Sequence, residues 1–291
     1  MKVLLIGKNG QLGSQIHEQS AQFGFPVISF GRGELDVTNH ESVKAKIEEL
    51  SPKIIIDASA YHNVLDCDQN PNIAFGVNVA ASLNIARICL KKNIRLISFS
   101  SDKVFDGLAS KPYLESDVKN PIQIYGISMS ARESVILSYN PNSIVVRTCG
   151  IFGGVSGSRS KKGNFVLTIL NFAKKNKKME ISSDQTASLA NATDLARSVL
   201  QLIKQKAGSG IYHLVHEGYG SWAQYAREIV ELSKVELEII PIDRKGAFQD
   251  IRIPRFAALE NKKAKSLGIR LPSWEDGLAK YIHFLKKEKI I

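Results

Sequence analysis

Cysteine is scarce. Cys67, Cys89 and Cys149 are the only three in 291 residues, and they lie far apart. That spacing excludes a disulfide framework and a cysteine-based zinc signature, and it points to a reducing, cytoplasmic setting. Long apolar runs are also missing. No stretch approaches the roughly 20 consecutive apolar residues of a membrane span. The opening MKVLLIG meets glycine too early for a secretory signal and reads instead as a buried strand. Repeats and low-complexity tracts are absent. Acidic residues are in deficit, with 28 Asp and Glu against 39 Lys and Arg, a net charge of +11. A nucleic-acid surface would gather that charge on one face. Here it is spread through segments such as KAKIEEL and ARICLKKN, and is dense only in RSKKGN and KKNKKME. An anionic small molecule is the expected partner, with neither nucleic acid nor membrane. No metal is expected. His213 and His216 have no companion ligand nearby, and Asp66 and Asp68 form only a lone acidic loop.

What is present is a rhythm. KVLLIG, PVISF, KIIIDASA, IRLISFSS and SIVVRTCGIFG read as strands, and helical segments separate them. The strands are apolar throughout rather than alternating, which implies a parallel sheet covered on both faces. The fold class is therefore α/β, a doubly wound parallel sheet with a smaller C-terminal substrate-binding lobe. The division falls at residues 1–153 and 154–291, with a segment near 190–206 returning to pack on the first part.

Gly7, Gly10 and Gly13 give GxxGxxG between the first strand and the first helix. Such glycines permit a tight turn and a close approach of backbone to a pyrophosphate at the helix N-terminus. After the second strand, FGRGELD has no acidic residue immediately at the strand end, where one would hold the adenine ribose hydroxyls. Arg32 could face a 2′-phosphate there, which favours NADP(H) over NAD(H). Asp36 could contact adenine or cap the turn before Thr38. Ser101 ends the fourth strand at the ligand-facing edge, where it could hydrogen-bond a carbonyl under reduction. Tyr125, in YGISMSARE, could donate its phenolic proton to the forming alkoxide. His62 follows the third strand and could line the crevice. Arg147, placed just past the fifth strand, could meet a phosphate or hold the sheet edge. Lys161 and Lys162 could approach a nucleotide diphosphate. Trp222 and Trp274 open helices as packing residues.

The motifs GKNGQLG, DASAYHNVLDCD, NVAASLNIA, SFSSDKVFDG, PYLESD, PIQIYG, VVRTCGIFG and LPSW run nearly the length of the chain. Together they resemble the extended short-chain dehydrogenase/reductases, and more narrowly the dTDP-4-dehydrorhamnose reductases. The resemblance implies a Rossmann fold and NADPH-dependent reduction of the 4-keto group of a nucleotide-linked 6-deoxyhexulose. It implies cofactor contacts at Gly7, Gly10, Gln11, Leu12, Gly13, Ala58, Ala60 and Tyr61, and catalytic roles for Ser101 and Tyr125. Substrate contacts are expected at His62, Lys103, Phe105 and Arg255. The family pattern is Tyr-x-x-x-Lys, and Met129 stands at the lysine position. Arg132 replaces a glycine before the retained Glu133. Two other readings stay open, a catalytically impaired NADP(H)-binding regulatory or complex-forming subunit and a nucleotide-sugar epimerase or dehydratase. A homodimer or a protein partner is equally open.

Overall fold

Apolar strands such as VLLI and IIID are stable only if both faces of their sheet are covered. The computed structural model, which describes residues 2–155, 163–248 and 250–291, supplies both covers. The first half runs β1 (Val3–Ile6), α1 (Gln11–Ser20), β2 (Val27–Phe30), α2 (His40–Leu50), β3 (Ile54–Asp57), α3 (Val64–Gln69), α4 (Pro71–Phe75), a π turn (Gly76–Ala80), α5 (Ala81–Lys91), β4 (Arg95–Ser101), α6 (Ile124–Tyr139) and β5 (Ile144–Thr148). It continues through β6 (Ile151–Phe152), α7 (Phe165–Ala173), β7 (Lys178–Ser182), β8 (Thr186–Ala187), β9 (Ala190–Asn191), α8 (Ala192–Lys204) and β10 (Gly210–His213). The last stretch holds β11 (Gly220–Ser221), α9 (Trp222–Ser233), β12 (Glu238–Ile242), β13 (Ala247–Phe248), β14 (Ile251–Arg252), β15 (Phe256–Ala257), α10 (Lys262–Ser266) and α11 (Trp274–Lys287).

Six strands form one parallel sheet in the order β10-β5-β4-β3-β1-β2. The chain leaves β1 toward β2 and then crosses to β3 on the other side, so the switch point lies between β1 and β3. Ligands of open α/β sheets bind in the crevice at the carboxyl ends of the strands there. Val3 and Leu5 join a core with Leu12, Ile16, Leu195 and Val199 on the α1/α8 face. Leu4 and Ile6 join Val43, Ile47, Ile85 and Ile136 on the α2/α5/α6 face. After residue 153 the chain returns to the sheet twice. Helix α8 packs along α1, and β10, beyond the 190–206 segment, pairs with β5 and extends the sheet.

A separate core joins α7, α9 and α11 to Phe152, Ile181 and Ile239. Trp222 and Trp274 meet Tyr225 edge-on within this lobe, as packing residues do. One sequence expectation needs correction. Pro71–Lys91 is long and apolar enough, by length and composition, to cross a membrane, and 39% of its most apolar window is buried. Asn72, Asn78 and Asn84 interrupt the stretch, and it covers the sheet beside α2 and α6.

His213, the last residue of β10, is fully buried. Its Nδ1 donates to the Glu260 carbonyl (3.1 Å), and its Nε2 accepts from Arg147 (3.3 Å), partners that select the neutral Nδ1–H tautomer. Burial, and then the Arg147 charge, push its pKa from 6.5 to about 3. The unfolded chain therefore binds a proton that the folded chain refuses. Stability is complete above the unfolded value and falls as pH drops through the window between them, by up to about 1.4 kcal/mol per pH unit for this one group. Urea midpoints measured across that window should show a shallower slope for His213→Gln, with the remaining slope including His216, whose pKa burial also lowers.

Candidate active site

The glycine loop is shaped by two close approaches. Gly7 turns at φ +91°, and the backbone N–H groups of Gly7 and Lys8 both donate to Phe30 O, at 2.8 and 3.1 Å. A Cβ on Gly13 would run into the Gly7 carbonyl. Gly10 caps α1 without a side-chain hydrogen bond. First-turn helix amides behind a glycine-rich loop fit a dinucleotide pyrophosphate. Leu12 is buried beneath the loop. Gln11 ties the loop to the smaller lobe: its amide donates to Ile151 O (3.2 Å), and its carbonyl oxygen accepts from Asn164 (3.0 Å).

Across the switch point, the segment after β3 is fixed by a residue to which the sequence pattern assigned no role. Asn78, fully buried in the π turn, accepts from Tyr61 N (2.8 Å) and donates to Tyr61 O (2.9 Å) and Ser128 Oγ (3.0 Å). An asparagine inside an otherwise apolar helical stretch was the available signal, since a buried amide needs partners. Ala58 N donates to Ile6 O (3.0 Å), while Ala60 is exposed and His62 half-buried on the way to α3.

The chemical groups gather where β4 ends and α6 begins. Ser101 Oγ donates to Asp102 (2.8 Å), and Lys103 Nζ pairs with the other oxygen of the same carboxylate (2.8 Å). Tyr125, half-buried on the first turn of α6, lies close enough to Ser101 for the serine hydroxyl to act on the phenol. Burial of the phenol drives its pKa well above the ordinary 10. The Ser101 hydrogen bond and the Arg132 charge oppose the rise, and Asp102 adds to it. Met129 is only 2% exposed and shares an apolar cluster with Val104, Phe105, Tyr113, Cys149, Val215 and Leu259, with Tyr125 packed against it. Phe105, expected to touch substrate, is instead fully buried. It stacks on Tyr113 with centroids 4.0 Å apart and lies under the Arg147 guanidinium. An aromatic ring held between a ring and a cation makes its contacts inside the protein.

Beneath these groups runs a buried ionic layer. Arg132 donates to Asp57 (2.6 Å), to Ser98 Oγ (2.8 and 3.0 Å) and to Ser59 O (2.9 Å). Glu133 accepts both arms of Arg147 (2.8 Å each) and the Ser100 hydroxyl (2.5 Å), with Lys119 at 3.2 Å. Arg147 was expected past the fifth strand, facing a phosphate or the sheet edge. It lies within β5 and is 1% exposed, so its charge is spent on Glu133.

The remaining candidates lie further out. Arg32 is exposed and pairs with Asp36 (3.4 Å). Asp36 caps the turn through Thr38 N (2.9 Å) and Thr38 Oγ1 (2.7 Å). Arg255 reaches Asp184 (3.8 Å) and Asp243 (3.5 Å), and the next residue, Phe256, donates its N–H to Gly107 O (3.2 Å). Arg255 therefore adjoins the loop after Lys103. Lys161 and Lys162 lie outside the described residues. Among the described residues no group of three His, Cys, Asp or Glu could hold a metal ion.

Removing one member of a buried ion pair leaves the other uncompensated, at roughly 3–5 kcal/mol. Arg132→Met should lose about that much stability in chemical denaturation. The double variant Arg132→Met/Asp57→Asn should recover part of it, because no bare carboxylate remains. A double variant no more stable than the single would remove the pairing as the cause.

The chain is similar to known proteins along nearly its whole length. The RmlD substrate binding domain family model matches residues 1–287. The spore coat polysaccharide biosynthesis protein SpsK of Bacillus subtilis is 29% identical over 97% of this chain and 96% of its own. The dTDP-4-dehydrorhamnose reductase of Sinorhizobium fredii is 29% identical over 99% of both. Among solved structures, a dTDP-4-dehydrorhamnose reductase of Clostridium acetobutylicum superposes with a TM-score of 0.92 at 29% identity, over 98% of this chain and all of that one. A Bacillus anthracis dTDP-4-dehydrorhamnose reductase in complex with NADP gives 0.88 at 27%, over 96% and 98%. A UDP-glucose 4-epimerase of Thermotoga maritima, 17% identical over 99% of this chain and all of its own with a TM-score of 0.85, shares the fold. With nearly its whole length matched by the family model, the chain belongs to the RmlD substrate binding domain family.

Proposed function

We propose that this protein is an NADP-dependent oxidoreductase. It reduces the 4-keto group of a dTDP-linked 6-deoxyhexulose, as its dTDP-4-dehydrorhamnose reductase relatives are named for doing. What supports the reading is the nearness of Tyr125, on the first turn of α6, to Ser101 at the carboxyl end of β4, in a sheet whose β1 runs into the glycine loop. The bound nicotinamide would supply a hydride to the carbonyl carbon. The chain's own residues manage the proton. Tyr125 delivers its phenolic hydrogen to the carbonyl oxygen, and the Ser101 hydroxyl turns from Asp102 to donate to that oxygen. Without substrate the Asp102 carboxylate holds the Ser101 hydroxyl, and Lys103 balances Asp102. Gly7, Gly10 and Gly13 leave space for the pyrophosphate, and Ala58, Ala60 and Tyr61 flank the dinucleotide. Lys103, His62 and Arg255 are the residues placed to meet the nucleotide sugar. The basic side chains beside β2 favour NADP(H). Three buried free thiols suit a cytoplasmic setting.

Met129 supports a second reading. A thioether in an apolar cluster cannot hold ribose hydroxyls with a charge, and it does nothing to lower the phenol's proton affinity. A protein that binds the dinucleotide and serves as a regulatory or complex-forming subunit would tolerate that change. The reductive direction needs a protonated donor, however, and the raised Tyr125 pKa provides one.

Incubation with dTDP-4-dehydrorhamnose and NADPH, followed by NADPH absorbance, should show oxidation. Tyr125→Phe should lose about 10²–10⁴-fold of it. With the donor's pKa raised, the rate should show no donor-dependent decline between about pH 7 and 9. Met129→Lys places a cation beside the phenol, lowers its pKa, and should bring a falling alkaline limb to lower pH. No oxidation by either protein rejects the reductase. Dinucleotide binding without turnover supports the subunit reading.

A further inference from the structure

The segment that leaves β3 is clamped at two alternate residues. Ser59 N donates to Asp57 Oδ1 (3.1 Å), and Ser59 O accepts from Arg132 Nη1 (2.9 Å). Two residues on, Tyr61 N and Tyr61 O are both held by the Asn78 amide, whose nitrogen also donates to Ser128 Oγ. Each residue thus has both backbone polar groups satisfied. The outer ends of the two clamps sit on one helix. Ser128 and Arg132 lie one turn apart on α6. Ser128 Oγ in turn donates to Tyr125 O at 2.8 Å.

The glycine loop lies on the other side of this segment. A Cβ on Gly7 would stand 2.9 Å from Ala58 C and O and 3.1 Å from Ser59 N, so loop and segment meet backbone to backbone. Contacts therefore run from the glycine loop through Ala58 and Ser59 to Arg132, and along α6 to Tyr125. Arg132 is fully buried. Besides Ser59 it meets Asp57 (2.6 Å) and Ser98 Oγ (2.8 and 3.0 Å), which leaves the guanidinium no room to turn.

We propose that Arg132 is a positioning residue of the reductase, holding the wall beside the dinucleotide at a fixed distance from the helix that carries the proton donor. Wall and phenol then face the carbonyl as one body. A misplacement on the order of 1 Å at a reacting centre costs roughly 10²-fold in rate. A clamp of this kind therefore acts on the chemical step more than on binding. The inference rests on the reading that the chain reduces a sugar ketone with NADPH.

Rates would be measured with NADPH, and with NADPH deuterated at the transferred hydrogen, on the wild type, Arg132→Lys, Arg132→Met/Asp57→Asn and Ser98→Ala. Circular dichroism would give the folded fraction, calorimetry the NADPH dissociation constant, and amide hydrogen exchange the protection of residues 58–61 without dinucleotide. Lysine keeps a charge for Asp57, but one nitrogen cannot serve Ser59, Ser98 and Asp57 together. In Arg132→Lys and the double variant, kcat per folded molecule should fall by about 10–100-fold. NADPH affinity should stay within about threefold. The deuterium isotope effect on kcat should rise toward its full value as hydride transfer becomes limiting, and exchange in 58–61 should quicken. Ser98→Ala, which leaves the guanidinium in place with one partner fewer, should move the same readouts in the same direction and by less. A residue that only stabilises the fold would lower the folded fraction alone. Wild-type kcat per folded molecule in all three variants, unchanged exchange in 58–61, or a fall in kcat with a diminished isotope effect overturns the proposal. A wild type that oxidises no NADPH removes the reductase reading and the proposal with it, whereas an active wild type with unchanged variants removes the proposal alone.

Discussion

The position of the Tyr125 phenol depends on two arginine–carboxylate pairs buried under α6. Met129, Arg132 and Glu133 follow Tyr125 by four, seven and eight residues, the spacing of a single helix face. Arg132 reaches across β4 to Asp57 at the end of β3, and Glu133 reaches Arg147 within β5. Charges taken from water are tolerated only in near-ideal geometry with their other hydrogen bonds satisfied. Two such pairs on adjacent residues fix both the rotation and the height of α6 over three strands. The helix cannot slide to relieve one pair without breaking the other. Such pairs add little net stability compared with apolar packing, so their value here is registration.

The same helix face explains how Met129 can be accommodated. One turn beyond Tyr125, the methionine closes the apolar cluster of Phe105, Tyr113 and Cys149, while the charges a turn later are neutralised toward the sheet. Lys103, paired with Asp102, brings a further cation to the end of β4. Burial makes the phenol a better keeper of its proton.

Local patterns exposed much of this in the sequence. The apolar strands, the glycine spacing and the Ser101–Tyr125 order are short-range features, and each carries its own physical signature. Partners chosen by the fold were hidden. Arg132 and Asp57 stand 75 positions apart, and nothing in either neighbourhood announces the other. Phe105 lies among residues that suggest a ligand loop, but its ring is claimed by Tyr113 and Arg147. Arg147 appeared free because the strand that buries it ends two residues later than the pattern suggests. Glu34 folds back to accept from Gly31 N, a contact within its own turn that leaves no periodic trace.

Strand β10 also bears on how the sheet is made. Its pairing with β5 covers what would otherwise be an open parallel edge. The residues that do so begin at 210 of 291, after most of the smaller lobe has been traversed. During synthesis, β5 must wait with unpaired backbone groups while more than sixty further residues emerge, counted from Thr148 to Gly210. An edge of that kind invites pairing with another chain. The nascent protein is therefore most vulnerable to misassembly late in its production, when the nucleotide-binding half is nearly finished but its border is still bare.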